Sequence, residues 1–270
     1  MIVSELLSYL LDRYPVADAE DWDHVGLSVG DPESEVTGVA CALDATEANI
    51  RRAHRLGANV LLTHHPVYIK APTAFAPHGA DRPQSSAAVY TSARLGINVI
   101  SLHTNLDRSI EARNCLCNLL GCMPSSSLEF SEDPQSTGLG ALAELEEEHT
   151  LNNIANIAAR SFDSAPRVWG KPSKSCRRIA VLGGSLGDFG EVALAAGADT
   201  VITGEAGYHI AQDLSIRGLG VILLGHDRSE EPFVDILMNS CIDAGIDPAQ
   251  THRILNPRQW WTVTEEGDFS

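Results

Sequence analysis

Six short apolar runs, each leading toward a segment of helical character, decide what this chain can fold into: "GVACALDAT", "NVLLTHH", "NVISLH", "RRIAVLGGS", "DTVITGE" and "LGVILLGH". Runs of this length read as buried strands, and strands alternating with helices signal a parallel or mixed sheet covered by helices. "EANIRRAHRLGA", "SSAAVYTSARLG", "DFGEVALAAGA" and "GYHIAQDLSIRG" supply the helices between them. At the start, Ile2, Val3, Leu6, Leu7, Leu10 and Leu11 form one helical stripe, with Ser4 as a cap and Pro15 beyond the end. "VADAEDWDHVGLSVGDP" reads as a loop. "TLNNIANIAARSF" and "EEPFVDILMNSCIDAG" read as further helices, with a last strand near "WWTV". The fold class is α/β.

Between residues 121 and 140 the texture changes to Ser, Pro, Gly and acidic residues, which places a domain junction there. With 270 residues the chain can build one large α/β domain or two small ones. Its formal charge of −17 argues against binding nucleic acid or an anionic membrane, since both require a basic surface. No apolar stretch approaches the roughly 20 residues that span a bilayer, and no signal peptide is evident. The six cysteines lack paired C-x-x-C spacing and read as reduced structural thiols in a cytoplasmic protein.

Three of the runs end in ionisable residues. "NVLLTHH" ends in His64 and His65, "NVISLHTNLD" in His103 and Asp107, and "GVILLGHDRSE" in His226 and Glu230. Ligands of open α/β sheets bind outside the carboxyl ends of strands, so these ends can converge on one pocket. If a helix starts just after Gly225, His226 and Glu230 stand one turn apart on one face. Imidazoles with carboxylates suit Zn, Fe or Mn better than Ca or Mg. Five donors exceed what one tetrahedral catalytic ion uses. Two divalent ions bridged by Asp107 would use them all and could activate a shared water. Each histidine alone is more often a capped polar strand end than a ligand, and "HDRSEE" fits an ordinary helix start with acidic residues at its positive end. Their joint occurrence favours the metal reading. His103 stands apart, as a second partner to the ligands or as a group that moves protons.

In order and spacing, "DWDHVGLSVGDP", "THHPV", "HTNLD", "GGSLGDF", "ITGEAGYH" and "GHDRSE" resemble the Nif-three-like dinuclear metal centre proteins, often labelled GTP cyclohydrolase I type 2 homologues. The resemblance implies two intertwined α/β domains with mixed sheets flanked by helices. The metal-binding domain would be 1–124 plus 226–270, and the second domain 125–225. It also implies a ring-shaped homohexamer and two divalent metals per subunit, with His64, His65, Asp107, His226 and Glu230 as their ligands. The implied reaction is metal-dependent hydrolysis of a small molecule such as a nucleotide, with GTP as the labelled substrate. Two positions depart from the family pattern: Asp227 stands where a Tyr is usual, and Ala141 where many members carry Arg. Both weigh against a phosphate-bearing substrate.

A rival from another class uses the same residues: a metal chaperone, store or insertion protein without turnover. "GGSLGDFG" lacks the Lys-Ser/Thr of a P-loop and reads as a tight strand–helix turn. "ELEEEHT" reads as a solvated face ahead of a helix. Trp22 is a candidate core plug, with Asp23 and His24 beside it in a loop. Tyr208 and His209 are candidate pocket-lining residues.

Overall fold

Short apolar strands have to be covered on both faces, and the chain meets that demand with two sheets that share one core. The computed structural model describes residues 1–256, 260 and 261. Its helices are α1 (Val3–Arg13), α2 (Glu47–Arg55), α3 (Pro83–Leu95), α4 (Thr104–Asp107), α5 (Ile110–Leu119), α6 (Leu151–Ser161), α7 (Phe189–Ala195), α8 (Tyr208–Ile216), α9 (His226–Glu230) and α10 (Phe233–Asp243). The strands β1 (Gly26–Val29), β2 (Val39–Ala42), β3 (Val60–Thr63), β4 (Asn98–Ser101) and β11 (Thr251–Arg253) form a sheet in the order β1-β4-β3-β2-β11. A second sheet orders β5 (Pro124–Ser126), β6 (Ala141–Thr150), β7 (Arg167–Trp169), β8 (Ser175–Val181), β9 (Thr200–Thr203) and β10 (Gly220–Leu223) as β5-β6-β8-β9-β10-β7. Each is mixed: β11, β2, β3 and β4 run parallel with β1 antiparallel, and β8, β9 and β10 run parallel between antiparallel β6 and β7. The expected α/β class with two helix-flanked mixed sheets is borne out.

Strand alternation divides the apolar side chains among three layers. On β3, Val60 and Leu62 face the central layer, while Leu61 joins Ile50, Ala53 and Ala88 of α2 and α3. On β10, Ile222 faces the same central layer, while Val221 and Leu223 pack with Ala193 and Leu214 of α7 and α8. α1, α5, α6 and α10 fill the space between the sheets with Leu6, Leu10, Leu116, Ile154 and Leu237. A fully buried Tyr14 hydroxyl meets Ser240 Oγ at 3.0 Å, tying the end of α1 to α10. The chain leaves the first sheet after β4, builds the second, and returns through α10 to lay β11 beside β2.

Several local expectations change. The loop expected over 16–32 contains β1, an edge strand only half buried, so its four residues carry too little apolar signal to be read. "ELEEEHT" is the outer half of β6: pairing of Glu144 with Arg178 and His149 with Cys176 overrides its acidic composition, although its glutamates stay exposed. Trp22 is 55% exposed and plugs no core. The strand expected near 260–263 extends beyond the described residues, and Trp260 and Trp261 lie outside any strand. All six cysteines are free thiols. Among the described residues no helix is long and apolar enough to cross a membrane.

Leu62 lies fully buried on the central strand of the first sheet. Leu62→Ala should cost about 3 kcal/mol, read as a lower denaturation midpoint at unchanged slope in urea.

Candidate metal centre

The carboxyl ends of β2, β3 and β4 face those of β8, β9 and β10, and the polar residues just past these ends meet in the seam. His64 and His65 continue the parallel ladder beyond β3, their N–H groups donating to Ala42 and Leu43 carbonyls at 3.3 and 2.9 Å. Past β4, the single turn of α4 sets Asp107 four residues after His103. Asp23 clamps that turn: one carboxylate oxygen accepts from the Thr104 N–H and hydroxyl, and the other faces His103 Nδ1 at 2.8 Å. Past β10, Gly225 at φ 101° turns the chain so that α9 begins at His226 and places Glu230 one turn on. His226 and Glu230 stand one turn apart on α9, as their spacing predicts.

Glu230 lies at the centre. Its Oε2 accepts from His65 Nε2 at 2.9 Å and lies 3.2 Å from His226 Nε2, while Oε1 lies 3.8 Å from His64 Nε2, too far for a hydrogen bond. Each outer imidazole edge has its own partner: His64 Nδ1 with the Leu102 carbonyl (3.0 Å), His65 Nδ1 with Asp44 (2.7 Å) and His226 Nδ1 with Glu205 (3.0 Å). Such partners fix the ring and present the other nitrogen inward, as metal-bound histidines require. His64, His65 and His103 form one group able to hold a metal ion, and His65, His226 and Glu230 form another. Asp107 Oδ1 lies 3.5 Å from His64 Nε2, and both atoms are buried without a hydrogen-bond partner. With its Nδ1 edge on the Leu102 carbonyl, His64 turns Nε2 toward a carboxylate oxygen. Two buried acceptors facing each other are satisfied by a cation between them, so the donor set fits a divalent metal.

The local charges follow from burial and pairing. Burial disfavours the charged form of His65, yet Asp44 and Glu230 outweigh it and raise its pKa to about 10. The Glu230 hydrogen bond raises His226 to about 9 against its burial. Both rings have carboxylates at both nitrogens, so protons stand where a metal would bind. Burial, then the Glu230 charge, lifts Asp107 to about 7. Burial would also raise Glu230, but the surrounding histidines hold it well below the usual carboxylate range. Asp23, likewise opposed by burial, is held low by His103 and Thr104.

The glycine turn after β8 gains a purpose that its sequence did not reveal. A Cβ on Gly183 would lie 2.9 Å from Glu230 Cγ, and one on Gly184 (φ +62°) 2.4 Å from Glu230 Oε1. The Gly184 N–H donates to Ser229 Oγ at 2.9 Å, docking the turn on α9. Three polar partners were also missed as such: Asp23, Asp44 and Glu205. Asp44 and Glu205 each lie two residues past a strand end, as do His65 and His103, so the rule that found the histidines would have found them too. Tyr208 and His209 sit at the start of α8, outside both groups able to hold a metal ion.

A cavity of ≈ 380 Å³ opens over the centre, with His103, Asp107, His226 and Glu230 on its floor and Trp22, Ile69, Leu182 and Phe189 around it. A second, of ≈ 430 Å³, reaches His65 and His226 from the side of Asp44, Glu205, Asp227 and Trp260. A third, of ≈ 440 Å³ between β6 and α6, shares none of these residues.

Residues 1–245 match the family described as Duf34/NIF3 (NGG1p interacting factor 3). A relative from Clostridium acetobutylicum bearing the name "GTP cyclohydrolase 1 type 2 homolog" is 34% identical over 238 residues, covering 87% of each chain. A Clostridium perfringens protein of the same name is 32% identical over 234 residues, covering 86% of this chain and 88% of its own. Among solved structures, a Bacillus cereus protein related to NIF3 superposes with a TM-score of 0.84 at 22% identity, covering 94% of this chain and 96% of that one. A hypothetical protein from Staphylococcus aureus gives 0.83 at 26% identity with the same coverage. The resemblance read from the motifs is borne out.

Two outcomes are expected. With His65 at about 10, His226 at about 9 and Asp107 at about 7, both imidazolium protons and part of the Asp107 proton must leave when these groups become ligands, so metal binding near pH 7 should release about two to three protons. Affinity should then rise with pH up to about pH 10, above His226 at about 9 and where His65 loses its own proton; titration calorimetry in buffers of different ionisation enthalpy measures the release. Gly184→Ala, which places a methyl group against Glu230 at positive φ, should cost about 1 kcal/mol of stability and lower the metal bound per folded chain, measured by elemental mass spectrometry.

Proposed function

The chain belongs to the Duf34/NIF3 family, and from that premise we propose that it is a metal-dependent hydrolase with a dinuclear centre held by His64, His65, Asp107, His226 and Glu230. The observation that carries this reading is the pair of buried, unpartnered acceptors, His64 Nε2 and Asp107 Oδ1, beside a carboxylate surrounded by histidines. Glu230 spans His64, His65 and His226 with its two oxygens, which leaves Asp107, with a free oxygen, as the carboxylate to bridge two ions. Bound there, Zn, Fe or Mn would supply Lewis-acid activation of water near neutral pH.

The chain's own groups supply the rest. Asp23 orients His103, whose ring lies 5.2 Å from that of His64 and lines the cavity, so its Nε2 can take up or return a proton at the reacting atom. Phe233 packs edge-on against His64 at 5.3 Å and keeps water from the buried side of the centre. The names of the Clostridium relatives point to GTP as the first substrate to try, with ring opening of the purine and loss of formate. The family resemblance further supports a homohexamer, which analytical ultracentrifugation would reveal directly, and the free cysteines support a cytoplasmic setting.

Elemental mass spectrometry of untagged protein, purified without chelator, should give about two metal equivalents per chain, and Asp107→Ala clearly fewer. Less than half an equivalent in both, not raised by added Zn, Fe or Mn, would exclude the dinuclear centre. Formate release lost in Asp107→Ala at unchanged assembly marks an enzyme. Transfer of metal to an apo-acceptor without turnover marks a metal-handling protein instead.

A further inference from the structure

We infer that the cavity beneath Trp22 takes a flat heteroaromatic ring that is uncharged or cationic, and that it selects against a polyphosphate. The inference rests on the dinuclear reading above for the identity of the centre, but its own support is the shape and charge of the cavity.

The Trp22 indole is a large apolar surface, 55% exposed, held at the cavity rim by its neighbour Asp23, whose carboxylate is fixed by His103 and Thr104. Its ring stands 6.0 Å from the His103 ring at 72°, edge against face, so one indole face stays available to a stacking partner. Ile69, Leu182 and Phe189 complete apolar walls above a polar floor. That is the form of a small-molecule site: mostly apolar, with a few convergent polar groups.

Charge narrows the occupant. Among the described residues, no Lys or Arg lines this cavity. The guanidinium of Arg108, adjacent to Asp107 in the chain, is already committed: it donates to Glu129, to Glu20 and to the Asp18 carbonyl. Five carboxylates, Asp23, Asp44, Asp107, Glu205 and Glu230, lie in contact with the histidines of the centre. Two dications bring four positive charges, so the loaded centre with neutral imidazoles keeps no surplus positive charge for a polyanion. Glu20, which lines the cavity beside Trp22, adds a further carboxylate. A triphosphate would therefore lose its hydration and its own counterions with no Lys or Arg to replace them, the already neutralised metal ions being its one cationic contact, whereas a flat ring gains the indole.

The test is calorimetric titration of the metal-loaded full chain with guanosine, with 7-methylguanosine as a cationic ring and with GTP, repeated for Trp22→Ala and Trp22→Phe. Metal content is measured after every titration, because GTP also chelates free ions. The expected result is that GTP binds no more tightly than guanosine. Trp22→Ala should weaken both nucleosides about ten-fold, while Trp22→Phe retains most of their affinity. Three results would overturn the inference: no binding of either nucleoside, GTP binding ten-fold tighter than guanosine, or nucleoside affinity unmoved in Trp22→Ala. An altered oligomeric mass in Trp22→Ala with unmoved affinity would instead make the indole a subunit contact. Nucleoside binding that depends on Trp22 in a chain that takes up no metal would sink the dinuclear reading while leaving this one standing.

Discussion

A carboxylate taken out of water must be met by positive charge or by donors, and Glu230, whose side chain is only 5% exposed, sets that demand for the whole seam. Its partners come from both sheets: His64 and His65 from the end of β3, His226 from its own helix past β10. Asp44 and Glu205 then hold the outer edges of His65 and His226, so one buried charge draws in residues from β2, β3, β9 and β10. The turn after β8 has glycine at both positions that touch Glu230, because any side chain there would displace it. Much of the irregular backbone in the seam exists to bring these groups into contact without a clash.

The shared central core makes that convergence rigid. Leu62 and Ile100 of the first sheet and Ile179, Ile202 and Ile222 of the second belong to one continuous apolar layer. Neither sheet can shift against the other without opening packed surface, which is costly at interior density. The centre is therefore set by the same contacts that hold the two sheets together.

How much of this was legible follows from the kind of signal involved. The parallel strands showed themselves because burial on both faces writes an unbroken apolar run, as in "NVLLT" and "GVILL". His64, His65 and His226 could be singled out because they stand just past such runs, and Asp107 and Glu230 because each follows a histidine by one helical turn. β1, β5, β6, β7 and β11 stayed hidden: they are short, or exposed on one side, or, in β6, carry an acidic run whose strand form comes from pairing with β8. Asp23 was invisible as a partner of His103, since 80 residues separate them and only the folded chain brings them to 2.8 Å. The glycines of "GGSLGDFG" announced a turn, but their contact with Glu230 belongs to tertiary structure.

The return of the chain from the second sheet to the first has a consequence for biosynthesis. His64, His65, His103 and Asp107 leave the ribosome long before His226 and Glu230, and β11, the edge strand beside β2, follows later still. The early strands cannot close their central apolar face until α10 has been made. A nascent chain halted between the sheets thus presents an open core and three of the centre's four histidines at once, a state whose exposed apolar surface chaperones bind. Completion of the fold and completion of the centre are then one event, timed by the emergence of α9, α10 and β11 rather than by the first sheet.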